Sequence, residues 1–329
     1  VRTCINPECF KEFPVDHNIC DYCGWPQDID PSSEAGIKLK VQRAISDLSN
    51  PDPEIQGKAC EALKEIGPAA AEAVPALIEL IKCRPNYHWR SREYFFDHPV
   101  VIDHYLHTEA FDALRAIGPA AVPALVELIR HSQDRGVLAA ACKVLEEIGP
   151  AASEAVPALV DLIRRSQDAV VLEAACGALE AMGPAAAEAV PALVEFIRRN
   201  PGSDEVECWA LEAACEALRA IGPAASEAAS ALVELIRRNP SSDVLEAAYK
   251  ALKAIGPAAA EAVPALVELI ICNPDLSVFW AACEALEAIG PAALPKLRSL
   301  IDWPFLLDKD KQARIREVIE RIEKKHGKR

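Results

Sequence analysis

Apolar residues recur along most of the chain at helical spacing, and the recurrence itself repeats. An apolar residue followed by Gly-Pro occurs at Gly67, Gly118, Gly149, Gly183, Gly222, Gly256 and Gly290, at intervals of 51, 31, 34, 39, 34 and 34 residues. Counted back from that Gly, residues at 4, 7, 8 and 11 fall on one helix face. The fourth is Leu in all seven units (Leu63, Leu114, Leu145, Leu179, Leu218, Leu252, Leu286), and the eighth is Ala (Ala59, Ala110, Ala141, Ala175, Ala214, Ala248, Ala282). The Gly-Pro ends a helix, because Gly accepts the left-handed C-terminal conformation and Pro cannot continue the ladder. After a short Pro-Ala-Ala turn, Pro75, Pro157, Pro191 or Pro264 is placed as the first residue of a second helix with PALVELI or a close variant.

A pair of short helices cannot bury its apolar face alone, so neighbouring hairpins must stack. The pattern predicts an all-α fold, an α-solenoid of about seven hairpins over 53–302, headed by residues 1–30. Residues 31–52 are a linker and capping helix, and 303–329 a charged C-terminal capping helix with Ile315, Val318, Ile319 and Ile322 on its apolar face. The phrase IGPAAAEAVPALVELI, at Ile66–Ile81 and again at Ile255–Ile270, resembles the short HEAT repeats of phycobilin-lyase-like and other bacterial repeat proteins. That resemblance implies the fold and says little of function, since the same repeat serves scaffolds, lyases, hydroxylases and regulatory subunits. Deoxyhypusine-hydroxylase-like relatives bind iron through His-Glu pairs, and this sequence contains no His-Glu dipeptide.

Composition narrows the class. At 51% apolar and 26% charged over 329 residues, the chain is a folded rather than a disordered one. No apolar run reaches the length of a membrane span and the first residues lack a signal-peptide layout, so the expected location is cytoplasmic with no membrane partner. With 35 basic and 50 acidic residues the formal charge is −15, which makes nucleic acid the less favoured partner.

The twelve cysteines fall into two main groups. Cys60, Cys142, Cys176, Cys215 and Cys283 stand seven residues before the Gly, where other units carry Phe111 and Tyr249, and read as buried fillers. Cys4, Cys9, Cys20 and Cys23 form two close pairs in CINPECFKEFPVDHNICDYCGW, ahead of the repeats. Two converging pairs suit tetrahedral thiolate binding of one structural Zn2+; a disulfide pair is the alternative. The segment resembles the short zinc ribbons that head many bacterial regulatory and signalling proteins.

The first interval carries surplus residues at 84–106, rich in aromatic and His residues in a chain with 5% aromatics. Tyr87, Trp89, Arg90, Arg92, Tyr94, Phe95 and Phe96 are candidate contacts for a protein partner, since aromatics and Arg anchor interfaces; the other reading is a loop that fills a gap in the repeats. Lys82, Arg130, Arg164–Arg165, Arg198–Arg199 and Arg237–Arg238 close the second helices. They form either a cationic stripe or a set of local partners for helix dipoles and for Glu79, Asp161, Glu195 and Glu234. No nucleophile–base pattern or phosphate loop occurs. The expected function is a non-enzymatic interaction scaffold or regulatory adaptor, with a bilin-lyase-like enzyme or chaperone subunit and a nucleic-acid-binding module as alternatives.

Overall fold

The computed structural model describes residues 2–3, 12–13, 19, 26, 28–82, 101–200, 202, 205–238, 241–273, 275–302 and 308–326. The chain divides into two compact units, Val1–Leu128 and Ile129–Arg329.

In the first unit, strands β1 (Arg2–Thr3) and β2 (Glu12–Phe13) pair antiparallel, with Arg2 opposite Phe13 and Thr3 opposite Glu12. An isolated antiparallel bridge joins Ile19 to Pro26. Helix α1 (Glu34–Leu48) starts at Ser33, whose hydroxyl accepts from the Gly36 N–H at 3.1 Å. Gly36 lies so close to the chain behind it that an added Cβ would stand 2.1 Å from the Asp30 carbonyl oxygen, so no other residue fits without rebuilding the turn. Helix α2 (Pro53–Ile66) begins after the Asp52 cap, and its buried Gln56 donates to the Leu48 carbonyl at 3.0 Å, tying α2 to the end of α1. Helix α3 (Val74–Lys82) completes the first hairpin, and α4 (Val101–Ile117) packs against both α2 and α3. Helix α5 (Val122–His131) follows the second Gly-Pro turn.

The second unit repeats the hairpin. First helices α6 (Arg135–Ile148), α8 (Ala169–Met182), α10 (Glu205–Ile221), α12 (Ser242–Ile255) and α14 (Leu276–Ile289) pack side by side in chain order, closed by α16 (Lys309–His326). Second helices α7 (Val156–Arg165), α9 (Val190–Arg199), α11 (Ala229–Arg237), α13 (Val263–Cys272) and α15 (Leu294–Ile301) form the other layer, also in order. Asp134, Asp168 and Asp275 cap the starts of α6, α8 and α14 by accepting from backbone N–H groups two or three residues on, which satisfies donors the helix leaves free. Each described hairpin turns on a Gly at positive φ, from 58° at Gly183 to 80° at Gly290. The Pro-Ala-Ala stretch is itself a turn of 3-10 helix, such as Gly149–Ala155, and the second helices start one residue before the expected Pro, at Val74, Val156, Val190 and Val263.

The inner columns are as the periodicity requires. All seven Ala of the eighth column and all seven Leu of the fourth are buried. With no side chain beyond Cβ, the Ala column lets adjacent first helices approach closely, and a larger residue would overpack the contact. Cys60, Cys142, Cys176, Cys215 and Cys283 are free thiols and fully buried. Burial, which disfavours the thiolate, pushes Cys60, Cys142 and Cys283 up to about 12 and raises Cys176 and Cys215 as well. Their role is packing, because a thiol held protonated is a poor nucleophile and a poor ligand.

One expectation needs correcting. By length and composition alone, three helical stretches are apolar enough to cross a membrane, Ala169–Arg199, Ser242–Cys272 and Leu276–Ile301. Each is a whole hairpin, bent at a Gly of positive φ, and half of each apolar window is buried inside the protein. Packing between helices accounts for the buried half of each window.

Candidate interaction surface

Cys4, Cys9, Cys20 and Cys23 lie outside the described residues, as do Tyr87, Trp89, Arg90, Arg92, Tyr94, Phe95 and Phe96. The end of the long first interval is described: residues 101–106 are the first turns of α4, which has 17 residues where α2 has 14. Helix α10, in the 39-residue interval, is lengthened to 17 residues in the same way. Part of each surplus therefore goes into helix rather than loop. Phe111 is 7% exposed and belongs to the core column rather than to a surface. Trp209, near the start of α10, is 46% exposed.

The best-defined surface is the outer edge of the second helices in the Ile129–Arg329 unit. Its arginines work in two registers. The second of each pair reaches back one hairpin onto the carbonyls that end the previous second helix. Arg165 donates to the Ile129 carbonyl, and at 3.5 Å to that of Ser132. Arg199 donates to Ile163 at 2.6 Å, to Arg164 at 3.1 Å and to Ser166 at 3.5 Å. Arg238 donates to Ile197 at 3.1 Å and to Asn200 and Arg198 at 3.3 Å. These guanidinium groups satisfy the orphan acceptors of α5, α7 and α9 and place positive charge at their negative ends.

The first arginine of each pair leans forward instead. Arg164 lies 3.8 Å from Glu195, Arg198 donates to the Ser230 hydroxyl at 3.4 Å, and Arg237 pairs with Glu268. Pairing three or four residues back, as the sequence suggested, holds for Lys82 with Glu79 at 2.9 Å and Arg238 with Glu234 at 2.9 Å. The dominant partners lie one hairpin away. Sequence spacing could not show this, since it depends on the register between hairpins. These arginines are thus engaged with the neighbouring hairpin more than with their own helix. Acidic residues on the turns stay exposed: Glu154, Glu188, Glu227 and Glu261 are each exposed, and none is ion-paired among the described residues.

The first helices carry a similar lattice of surface pairs, Lys64 with Asp112 at 2.8 Å, Arg219 with Glu180 at 3.0 Å and Lys253 with Glu284 at 3.3 Å. Between α10 and α12 runs an open groove of about 420 Å³ lined by Glu216, Arg219, Lys250, Lys253 and Ala254. A narrower one of about 200 Å³ involves Lys253, Glu284, Glu287, Arg314 and Arg321. Both are charged and open, unlike the enclosed apolar pockets that hold small ligands. Glu109 and Glu212 are held above the usual carboxylate range, first by burial and then by neighbouring acids, Glu61 and Asp112 for the former, Asp243 and Glu216 for the latter. Among the described residues no group of three or more His, Cys, Asp or Glu could hold a metal ion.

Comparison with known proteins agrees with this architecture. The family model of HEAT repeats matches residues 105–180, 122–214, 156–253 and 229–304 in overlapping windows. Among solved structures, the chain is similar to Kap121p bound to Pho4p, with a TM-score of 0.52 at 14% identity, covering 88% of this chain and 34% of that one. It is also similar to the karyopherin Kap121p bound to the extreme C-terminus of the protein phosphatase Cdc14p, with a TM-score of 0.50 at 13% identity and the same coverage. This chain spans about a third of the length of those chains, and at such identities the likeness is one of fold. No curated protein matches the sequence.

Proposed function

Since the chain belongs to the HEAT-repeat family, we propose that it works as a non-enzymatic scaffold or regulatory adaptor that binds a protein partner along its stacked helices. The observation that carries this reading is the contrast between a uniform interior and outer faces whose grooves, between α10 and α12 and around Lys253, Glu287 and Arg321, are open and charged. Solenoids of this construction offer extended surface rather than a catalytic pocket. Specificity is assigned to the insertion 84–106, where Tyr87, Trp89, Tyr94, Phe95 and Phe96 supply aromatic anchors and Arg90 and Arg92 supply charge. Arginines already committed to carbonyls and carboxylates weigh against the nucleic-acid alternative, and the bilin-handling alternative rests on repeat resemblance alone. The test is capture of a partner by the intact chain beside a chain in which 84–106 is replaced by a Gly-Ser linker. Capture lost with the linker supports the assignment; unchanged capture moves recognition elsewhere on the surface.

The N-terminal segment is proposed to hold one structural Zn2+ through Cys4, Cys9, Cys20 and Cys23, acting as a cap or second contact. Backbone pairing supports it. Thr3 pairs with Glu12 on either side of the first Cys pair, and Ile19 with Pro26 on either side of the second. In both, the first Cys directly follows a paired residue and the second Cys stands three before the returning one. Four thiolates leave no open position for water, so the ion's work would be folding rather than catalysis. A reducing compartment, the cytoplasm, suits such thiols. Elemental analysis should find one zinc per chain, lost on Cys4→Ser and Cys23→Ser; a metal-free chain with an intact N-terminal fold would exclude it.

A further inference from the structure

The arginine rungs share one construction and then stop. Arg165, Arg199 and Arg238 each lie nine residues after the start of their helix and reach a homologous set of carbonyls, Ile129 and Ser132, then Ile163, Arg164 and Ser166, then Ile197, Arg198 and Asn200. The homologous set at the end of α13 is Ile270, Ile271 and Asn273. The rung register of the next two hairpins holds Cys272 and Trp303 rather than Arg, so the ends of α11 and α13 both go without a rung, and among the described residues no guanidinium reaches the α13 set. Helix α13 is also the one second helix, of the seven from α3 to α15, with no basic residue in its last turn. Its negative end therefore lacks the compensation its neighbours have.

The side chains around that end have changed with it. Where α7, α9 and α11 place an arginine pair, α13 ends in Ile271 and Cys272, both exposed, and α14 opens on Leu276, which is 59% exposed. Carbonyls homologous to those the rungs bond thus stand next to two uncovered aliphatic side chains, on a protein of net charge −15 that attracts cationic partners.

We infer that the C-terminal end of α13 is a docking site for an arginine of a protein partner, its guanidinium taking the Ile270, Ile271 and Asn273 carbonyls and an adjoining apolar side chain covering Ile271 and Leu276. The inference rests on the adaptor reading and names the chemistry of one contact, separate from the insertion. Arginine is specified over lysine because the planar fork serves several carbonyls at once, as Arg199 does within the protein. The partner's residue would supply, from outside, the kind of contact the chain builds three times from within.

The test titrates the intact, isotope-labelled chain with acetyl-Gly-Leu-Arg-Leu-Gly-amide and follows backbone amide signals. Saturable shifts are expected at Ile271, Cys272, Asn273 and Leu276. The same peptide with citrulline for Arg should bind at least about tenfold more weakly, since it loses charge-assisted bonds. Ile271→Arg should weaken the Arg peptide by about tenfold or more, by returning a cation to the last turn of α13; Leu276→Ser, also at the surface, should weaken it without unfolding the helix. Shifts scattered over other surfaces, or citrulline binding as well as Arg, would overturn the inference. Failure of the peptide while capture still depends on 84–106 removes this site and leaves the adaptor reading standing. Site-specific peptide binding with no dependence on 84–106 supports this site and removes the insertion from recognition.

Discussion

Eight residues before the Gly, every hairpin carries Ala; nine residues after the start of the second helix, the same hairpins carry Cys83, His131, Arg165, Arg199, Arg238, Cys272 and Trp303. The two columns answer to different physics. An inner position is bounded on all sides by other helices, so volume is fixed and one residue recurs. An outer position touches a neighbour's helix end across solvent, where water can replace the side chain, so the column is free to vary. Variation there, not in the core, is what makes one hairpin different from another.

The largest effect should come from the inner columns. Leu179→Ala deletes a fully buried side chain between packed helices and should cost about 2–5 kcal/mol, read from thermal or denaturant unfolding. Gly183→Ala adds a Cβ at φ 58°, where L residues are strained, and should cost roughly 1–2 kcal/mol. An outer-column change should cost less. Arg199→Gln removes donors to Ile163 and Arg164 from a partly exposed edge and should cost about 1 kcal/mol, with a loss that shrinks as salt rises. A cost as large as that of Leu179→Ala would mean the rungs hold the hairpins together and would erase the distinction between the columns.

The smallest effect is a matter of pH. Glu109 is raised above its ordinary 4.5, so the folded chain holds that proton more tightly than the unfolded one. Its contribution is fully present below the unfolded value and is lost as pH rises through the folded one. Glu109→Gln should therefore raise stability by a few tenths of a kcal/mol at about pH 7, less than a fully buried acid would because solvent screens it, and by nothing near pH 3. A gain that persists at the low pH would point to packing rather than charge.

Much of the fold was legible in one dimension. The Gly-Pro stop, the Leu and Ala columns and the burial of Cys142, Cys176 and Cys215 all follow from positions within a single helix, and local periodicity reports those. The outward surface was legible only in part. Counting along a helix paired Arg165 and Arg199 with acids on their own helices, whereas their partners are carbonyls one hairpin back. The lengthening of α4 and α10 was likewise hidden, because surplus residues look alike in sequence whether they extend a helix or form a loop.

The sequence by itself determined that this chain is a stack of helical hairpins, where each one turns and which residues it buries, since those depend on spacing within a few turns of helix. Tertiary structure alone decided which helix end each arginine caps and that the arginine edge is bonded across hairpins to carbonyls, a hydroxyl and carboxylates rather than along its own helices. Those outcomes depend on the register in which one hairpin meets the next, and register is set by packing between residues about 34 positions apart, such as Arg199 and Arg164.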